Sequence, residues 1–173
     1  MQYTLKRIID THPEWYQALK QKCYTINGCC NTAHQELGPF LNEYMYQDAL
    51  AILLEEQQVA YQREYYFSIT YHGQPIKHKH YVDFLVNDEI IVECKAVEKL
   101  CIDHRQQLWN YMRLTGKRIG ILYNFSPVKS QSEHYYLSED GTMYYIPAIP
   151  QVIKNVDIEN EKMIIKPLDG LFD

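Results

Sequence analysis

Three charged side chains stand among apolar neighbours in the stretch HYVDFLVNDEIIVECK, from His80 to Lys95: Asp83, Glu93 and Lys95. Two carboxylates and an ammonium in such a setting can serve a hard divalent cation beside a phosphoryl centre. Mg²⁺ (or Mn²⁺ in its place) takes oxygen ligands and keeps several waters, so one or two carboxylates plus substrate phosphate suffice. The cation would acidify water and polarise a phosphoryl oxygen, while Lys95 would stabilise developing charge or orient the attacking water. The competing reading is structural. Charges on a buried surface are costly unless paired or metal-bound, and a Lys95 salt-bridged to Glu93 or Asp83 would satisfy that demand without chemistry. Residue types alone leave both readings open.

Whether the three can meet depends on the elements that carry them. Tyr81–Val86 and Ile90–Val92 are short β-rich runs on either side of Asn87-Asp88-Glu89, the pattern of a β-hairpin. Side chains alternate faces along a strand, so Glu93 and Lys95 share one. A three-residue loop pairs Val86 with Ile90 and sets Asp83 opposite Glu93. Asp83, Leu85, Ile91, Glu93 and Lys95 then lie on one face, and Val82, Phe84, Val86, Ile90, Val92 and Cys94 on the other. A two-residue loop would set Asp83 opposite Val92 and turn Glu93 away, because a one-residue slip inverts every side chain. The three-residue loop is the expectation adopted. Both faces are mostly apolar, as in strands covered by helices on both sides.

Around the hairpin, Leu5, Ile8, Ile9, Trp15 and Leu19 form a helical pattern interrupted at Thr11-His12-Pro13. Helical periodicity resumes from Thr25 to Gln57 with a break at Leu37-Gly38-Pro39. After the break Leu41, Tyr44, Met45, Asp48, Ala49, Ile52 and Leu53 recur at three- and four-residue spacing, the expected inner face of the helix. Glu43 and Gln47 can share a side of this helix; taken alone, Glu43 reads as a solvated first-turn glutamate favoured by the helix dipole. Val59–Thr70 is β-rich and His72-Gly73-Gln74 signals a turn. Lys77-His78-Lys79-His80 is the densest basic cluster, either a solvated strand edge or a phosphate contact beside the reaction centre. A helix from about Asp103 to Leu114, with Asp103 as N-cap and Gly116 past its end, places Gln107 and Tyr111 on one face. Arg118–Phe125 reads as a buried strand, so the order strand, strand, helix, strand implies a mixed α/β sheet. Tyr135–Leu137 and Met143–Ile146 flank a turn at Ser138–Thr142. The tail from Gln151 to Asp173 suggests a peripheral hairpin turning at Glu159-Asn160, and it is where a homodimer contact is to be sought.

Composition narrows the classes. A chain of 173 residues is one domain by the usual prior, with an expected core at about 25–125, an N-terminal helical extension (1–24) and a C-terminal β-rich extension (126–173). No apolar run is long enough for a membrane span, and the N-terminus lacks the apolar core of a secretory signal, so a cytoplasmic location is expected. Five cysteines without a Cys-x-x-Cys spacing do not suggest disulfides or a structural zinc. A net charge of −5 counts against a non-specific, high-affinity nucleic-acid coat protein; it counts much less against a nuclease whose phosphate attraction is local and partly supplied by a cation.

Asp83 followed by Glu93-Cys94-Lys95 resembles the acidic hairpin of the PD-(D/E)xK nuclease superfamily. Gln107-Leu108-Trp109-Asn110-Tyr111 is similar to the Gln-x-x-x-Tyr helix motif of its RecB-like and phage-exonuclease-like members. More closely, His34–Pro39 through Glu43-Tyr44-Met45-Tyr46, with VDFLV, VECKAVEKL, HRQQLWNYM and GILYNF, resembles the small bacterial family of GxxExxY proteins. The glycine opening that family's namesake motif is Phe40 here. The resemblance covers about Thr25–Phe125. It implies a restriction-endonuclease-like α/β core, with a mixed β-sheet flanked by helices, and Mg²⁺-dependent phosphodiester hydrolysis, with DNA the favoured substrate. Asp83 and Glu93 would hold the metal, Glu43 would be an auxiliary acid near it, Lys95 would stabilise charge or orient water, and Gln107 and Tyr111 would support the metal ligands or position substrate. The alternative is a non-catalytic nucleic-acid- or protein-binding module on the same fold.

Overall fold

The computed structural model describes residues 13–146 and the backbone of the strands Ile153–Asp157 and Lys162–Ile165. Two helices come first, α1 (Pro13–Leu37) and α2 (Glu43–Glu56). They are followed by β1 (Tyr61–Phe67), a small hairpin of β2 (Thr70–Tyr71) and β3 (Gln74–Pro75), then β4 (His80–Val86) and β5 (Ile90–Lys95). Helix α3 (Ile102–Thr115) leads to β6 (Ile119–Asn124), β7 (Gln131–Leu137) and β8 (Met143–Ile146). The main sheet has the order β1-β4-β5-β6-β7-β8. Within it β5 and β6 are parallel, joined through α3; the other neighbours are antiparallel. This is the mixed α/β architecture of a restriction-endonuclease-like fold.

Both faces of the sheet are covered, as the continuous apolar runs of β5 and β6 demand. On one face α1 and α2 contribute Leu19, Ile26, Tyr46, Leu50 and Leu54 against Phe84, Val92 and Ile121. On the other α3 sets Leu108 and Met112 against Leu85, Ile91 and Leu122. Helix α3 lies so close to β6 that a Cβ on Gly120 would come within 2.5 Å of Met112 Sδ and 3.0 Å of Leu108 Cδ1.

Four expectations need correction. The boundary drawn between residues 24 and 25 falls inside α1, whose buried Tyr16 and Leu19 join the same core as Ile26, so the first helix is not an appendage. The buried face of α2 is Tyr46, Gln47, Leu50 and Leu54, whereas Tyr44, Met45 and Ile52 are exposed. Tyr46 can be buried because its hydroxyl donates to the Gly38 carbonyl at 2.6 Å while its ring stacks on Phe125. Helix α3 begins earlier than Asp103 suggested: Cys101 is the N-cap, and its N–H donates to His104 Nδ1 at 3.2 Å. Val82 packs on the α3 face with Leu85, not on the opposite face with Phe84. The alternation slips at Asp83, where the β1–β4 ladder omits the Glu64–Asp83 pair and Glu64 takes a φ of 49°. The tail does form a hairpin, β9 (Ile153–Asp157) with β10 (Lys162–Ile165); its turn at Glu159-Asn160, and the side chains a dimer contact would use, lie outside the described residues.

Candidate active site

The hairpin register is the one on which the acidic site depends. Val86 pairs with Ile90, Leu85 with Ile91 and Phe84 with Val92, and the ladder ends there, one residue short of Asp83 and Glu93. Asn87 and Asp88 sit at φ 53° and 55°, and the Glu89 N–H returns to the Val86 carbonyl at 3.0 Å. Two consecutive left-handed residues are what a tight antiparallel turn requires, and Asn and Asp tolerate that conformation better than other non-glycine residues.

Beyond Phe84 and Val92 side chains take over from the backbone ladder. The Cys94 N–H donates to Asp83 Oδ2 at 2.7 Å, and the Asp83 N–H reaches Glu93 Oε1 at 3.4 Å. The two carboxylates are thereby fixed by the strands that carry them. Lys95 Nζ donates to Glu93 Oε2 at 3.3 Å, with the Glu93 side chain only 1% exposed and that of Lys95 11%. Helix α2 adds its first turn: Gln47 Nε2 donates to Glu43 Oε1 at 3.5 Å and its amide also bears on Asp83. The Ala96 N–H favours the ionised form of Glu43.

Three acids therefore crowd one ammonium. Burial, and then the Asp83 charge, push Glu93 up to about 8. Burial likewise raises Asp83 and Glu43. For Lys95 burial acts downward, yet the Glu93, Glu43 and Asp83 carboxylates outweigh it and hold its pKa above the ordinary lysine value. Such a surplus of buried acid is relieved either by protons or by a cation. The donors are hard oxygens, which suit Mg²⁺ or Mn²⁺ rather than a thiophilic metal. Among the described residues no three His, Cys, Asp or Glu side chains form a ready-made metal cage. Carboxylate oxygens of this kind leave the rest of a hard cation's shell to water and substrate oxygens.

Of the six residues singled out from sequence, Asp83, Glu93, Lys95 and Glu43 come together. Gln107 and Tyr111 meet each other, with Gln107 Nε2 donating to the Tyr111 hydroxyl at 3.2 Å, and Tyr111 packs edge-on against Phe67. Neither hydrogen-bonds to the acids among the described residues. Two further groups escaped sequence reasoning. Gln47 was noted as sharing a helix side with Glu43, but nothing in the sequence pointed it at Asp83. Asn124, fully buried, accepts from the Val97 N–H at 3.0 Å and donates to the Val97 carbonyl at 2.9 Å, which clamps the chain just after Lys95. The legible signal was an amide closing an otherwise apolar strand.

This arrangement, carboxylates and a lysine at the open end of a β-hairpin in a mixed sheet, defines a class. A family model described as the PD-(D/E)XK nuclease superfamily matches residues 20–135. The chain belongs to the PD-(D/E)XK nuclease superfamily. Two curated relatives are similar over short stretches. The ribosome maturation factor RimM of Pelobacter propionicus is 41% identical over 58 residues, 34% of this chain and 33% of that protein. RimM of Clostridioides difficile is 31% identical over 62 residues, 36% of each. The chain thus spans about a third of the length of these relatives. The solved structure of SSO0001 aligns with a TM-score of 0.40 at 18% identity, covering 74% of this chain and 60% of that one. No helix among the described residues is long and apolar enough to cross a membrane.

Proposed function

We propose that this domain is a Mg²⁺-dependent nuclease acting on DNA, of the kind the GxxExxY resemblance implies. The observation that carries the reading is the convergence of Asp83, Glu93 and Glu43 on one ammonium, a buried site with more acid than base. Asp83 and Glu93 would hold the cation, with Glu43 beside them. When bound, the ion supplies positive charge against the phosphoryl oxygens and acidifies water.

The chain's own groups do the rest. The Lys95 ammonium, held 3.3 Å from Glu93, stands where negative charge builds on a phosphate and stabilises it, or orients the attacking water. Gln47 keeps Asp83 and Glu43 in place from α2, and the Asn124 clamp fixes the path of the strand end that presents Lys95. Gln107 and Tyr111, already paired on α3, serve as substrate-positioning groups.

The test is Mn²⁺ calorimetry alongside cleavage of duplex and single-stranded DNA in Mg²⁺ or Mn²⁺, on wild type, Asp83→Ala and Glu93→Ala. Wild type is expected to bind the ion and cleave, and either variant to lose both while keeping its fold. Cleavage that survives both substitutions would refute the assignment. Nucleic-acid or protein binding without turnover in either metal would make the domain a non-catalytic module instead.

A further inference from the structure

The strand that delivers Asp83 to the site begins in an unusual segment. From Tyr65 through Val82 the chain carries no Asp or Glu, although its net charge is −5. Within those residues lie Lys77, Lys79 and three histidines, and residues 71–79 are all exposed. The basic cluster is therefore solvent-facing, and among the described residues neither Lys77 nor Lys79 is in an ion pair. The cluster runs directly into β4, which opens at His80 and carries Asp83 at its middle.

Aromatic rings accompany these cations. Tyr66 on β1 is registered directly opposite Tyr81 on β4, their ring centroids are 5.6 Å apart, and they are 49% and 45% exposed. Tyr71, 69% exposed, caps the β2–β3 hairpin edge-on to His72. Tyr81 stands two residues before Asp83, about 7 Å along the strand. The Tyr66–Tyr81 pair stands outside the core, which buries Tyr46 and Tyr123 with satisfied hydroxyls.

We infer that this surface is a platform for single-stranded nucleic acid, on which bases stack against Tyr66 and Tyr81 while Lys77 and Lys79 hold the backbone. Stacking rings beside a cationic track are the features that bind unpaired strands, because every base has a π-face but a duplex hides it. Phosphates pair with lysines irrespective of sequence. The inference deepens the nuclease reading: it rests on that reading for its purpose, naming a single strand or a splayed end as the segment led to Asp83, but its binding claim is independent of turnover.

The test is fluorescence anisotropy in EDTA, with the full chain and labelled oligothymidylate, oligouridylate and a duplex hairpin. Wild type is expected to prefer either single strand over the duplex. Tyr66→Ala/Tyr81→Ala should lose about tenfold or more in single-strand affinity, and Tyr66→Phe/Tyr81→Phe, which keeps the rings, should bind like wild type. Lys77→Ala/Lys79→Ala should lower the slope of log affinity against log salt by about 1.4. Equal affinity for the duplex, no binding at all, or an alanine pair indistinguishable from wild type would overturn the platform. The two readings fail separately. A protein that shows this preference yet cleaves nothing in Mg²⁺ retires the nuclease and supports the platform, whereas cleavage with an ineffective alanine pair retires the platform alone.

Discussion

Glu93→Gln separates the charge of the site from its shape. In the metal-free protein Glu93 keeps its proton up to about pH 8, whereas an unfolded glutamate releases it near 4.5. Between those values the native state binds more protons than the unfolded state, so stability must fall as pH rises. Integrating one such group from pH 5 to pH 8 gives a loss of about 3–4 kcal/mol. For a chain of this size each kcal/mol moves the melting temperature by about 2–4 °C, so roughly 10 °C is at stake. The assay is thermal melting in EDTA across that range. Below about pH 6.5 the buried His134, held down to about 4, opposes this loss, so wild type should lose stability chiefly from pH 6.5 to pH 8, and Glu93→Gln, which cannot ionise, should lack that loss and melt higher at pH 8. Saturating Mn²⁺ should close that gap. An ion at about a thousand times its dissociation constant adds about 4 kcal/mol to the protein that binds it, and the variant forgoes that gain. A wild-type profile that is flat or rises from pH 6.5 to pH 8, or a variant with an unchanged slope there, would refute the picture of a buried acid awaiting a cation.

Three further outcomes follow from named contacts. Phe40 is 82% exposed and held at φ 70°, where glycine would rest without strain, so Phe40→Gly should stabilise by about 0.5–1 kcal/mol in urea denaturation once glycine's extra unfolded-state entropy is set against the relieved strain. Gly120→Val should destabilise by about 1–3 kcal/mol in the same assay, because α3 must move away from β6 to admit the side chain. Asn124→Ala should destabilise by about 1–3 kcal/mol through the two unpaired backbone groups of Val97. By freeing the strand end it should also reduce cleavage more than Mn²⁺ affinity, read by comparing rates with calorimetry.

Much of this protein was determined by its sequence because the deciding interactions are local. The β4–β5 turn was legible since Asn87-Asp88 are residue types that accept left-handed backbone. Once the turn was placed, the register followed as far as Phe84 and Val92, and the two-residue period of β5 kept Glu93 on the side of Lys95. The apolar runs of β5 and β6 required cover on both faces, and the helices supply it. Other features were decided only by tertiary structure. Which face of α2 is buried depended on a partner far along the chain, Phe125, and on a carbonyl that could satisfy the Tyr46 hydroxyl. The slip at Asp83 depended on β1, which leaves that one position of its ladder unpaired. The arrival of Glu43 and Gln47 at the acids depended on how α2 crosses the sheet, which no helical period encodes. A one-dimensional pattern states what each residue can do; the raised pKa values at this site arise from which charges the fold then forces to share one buried space.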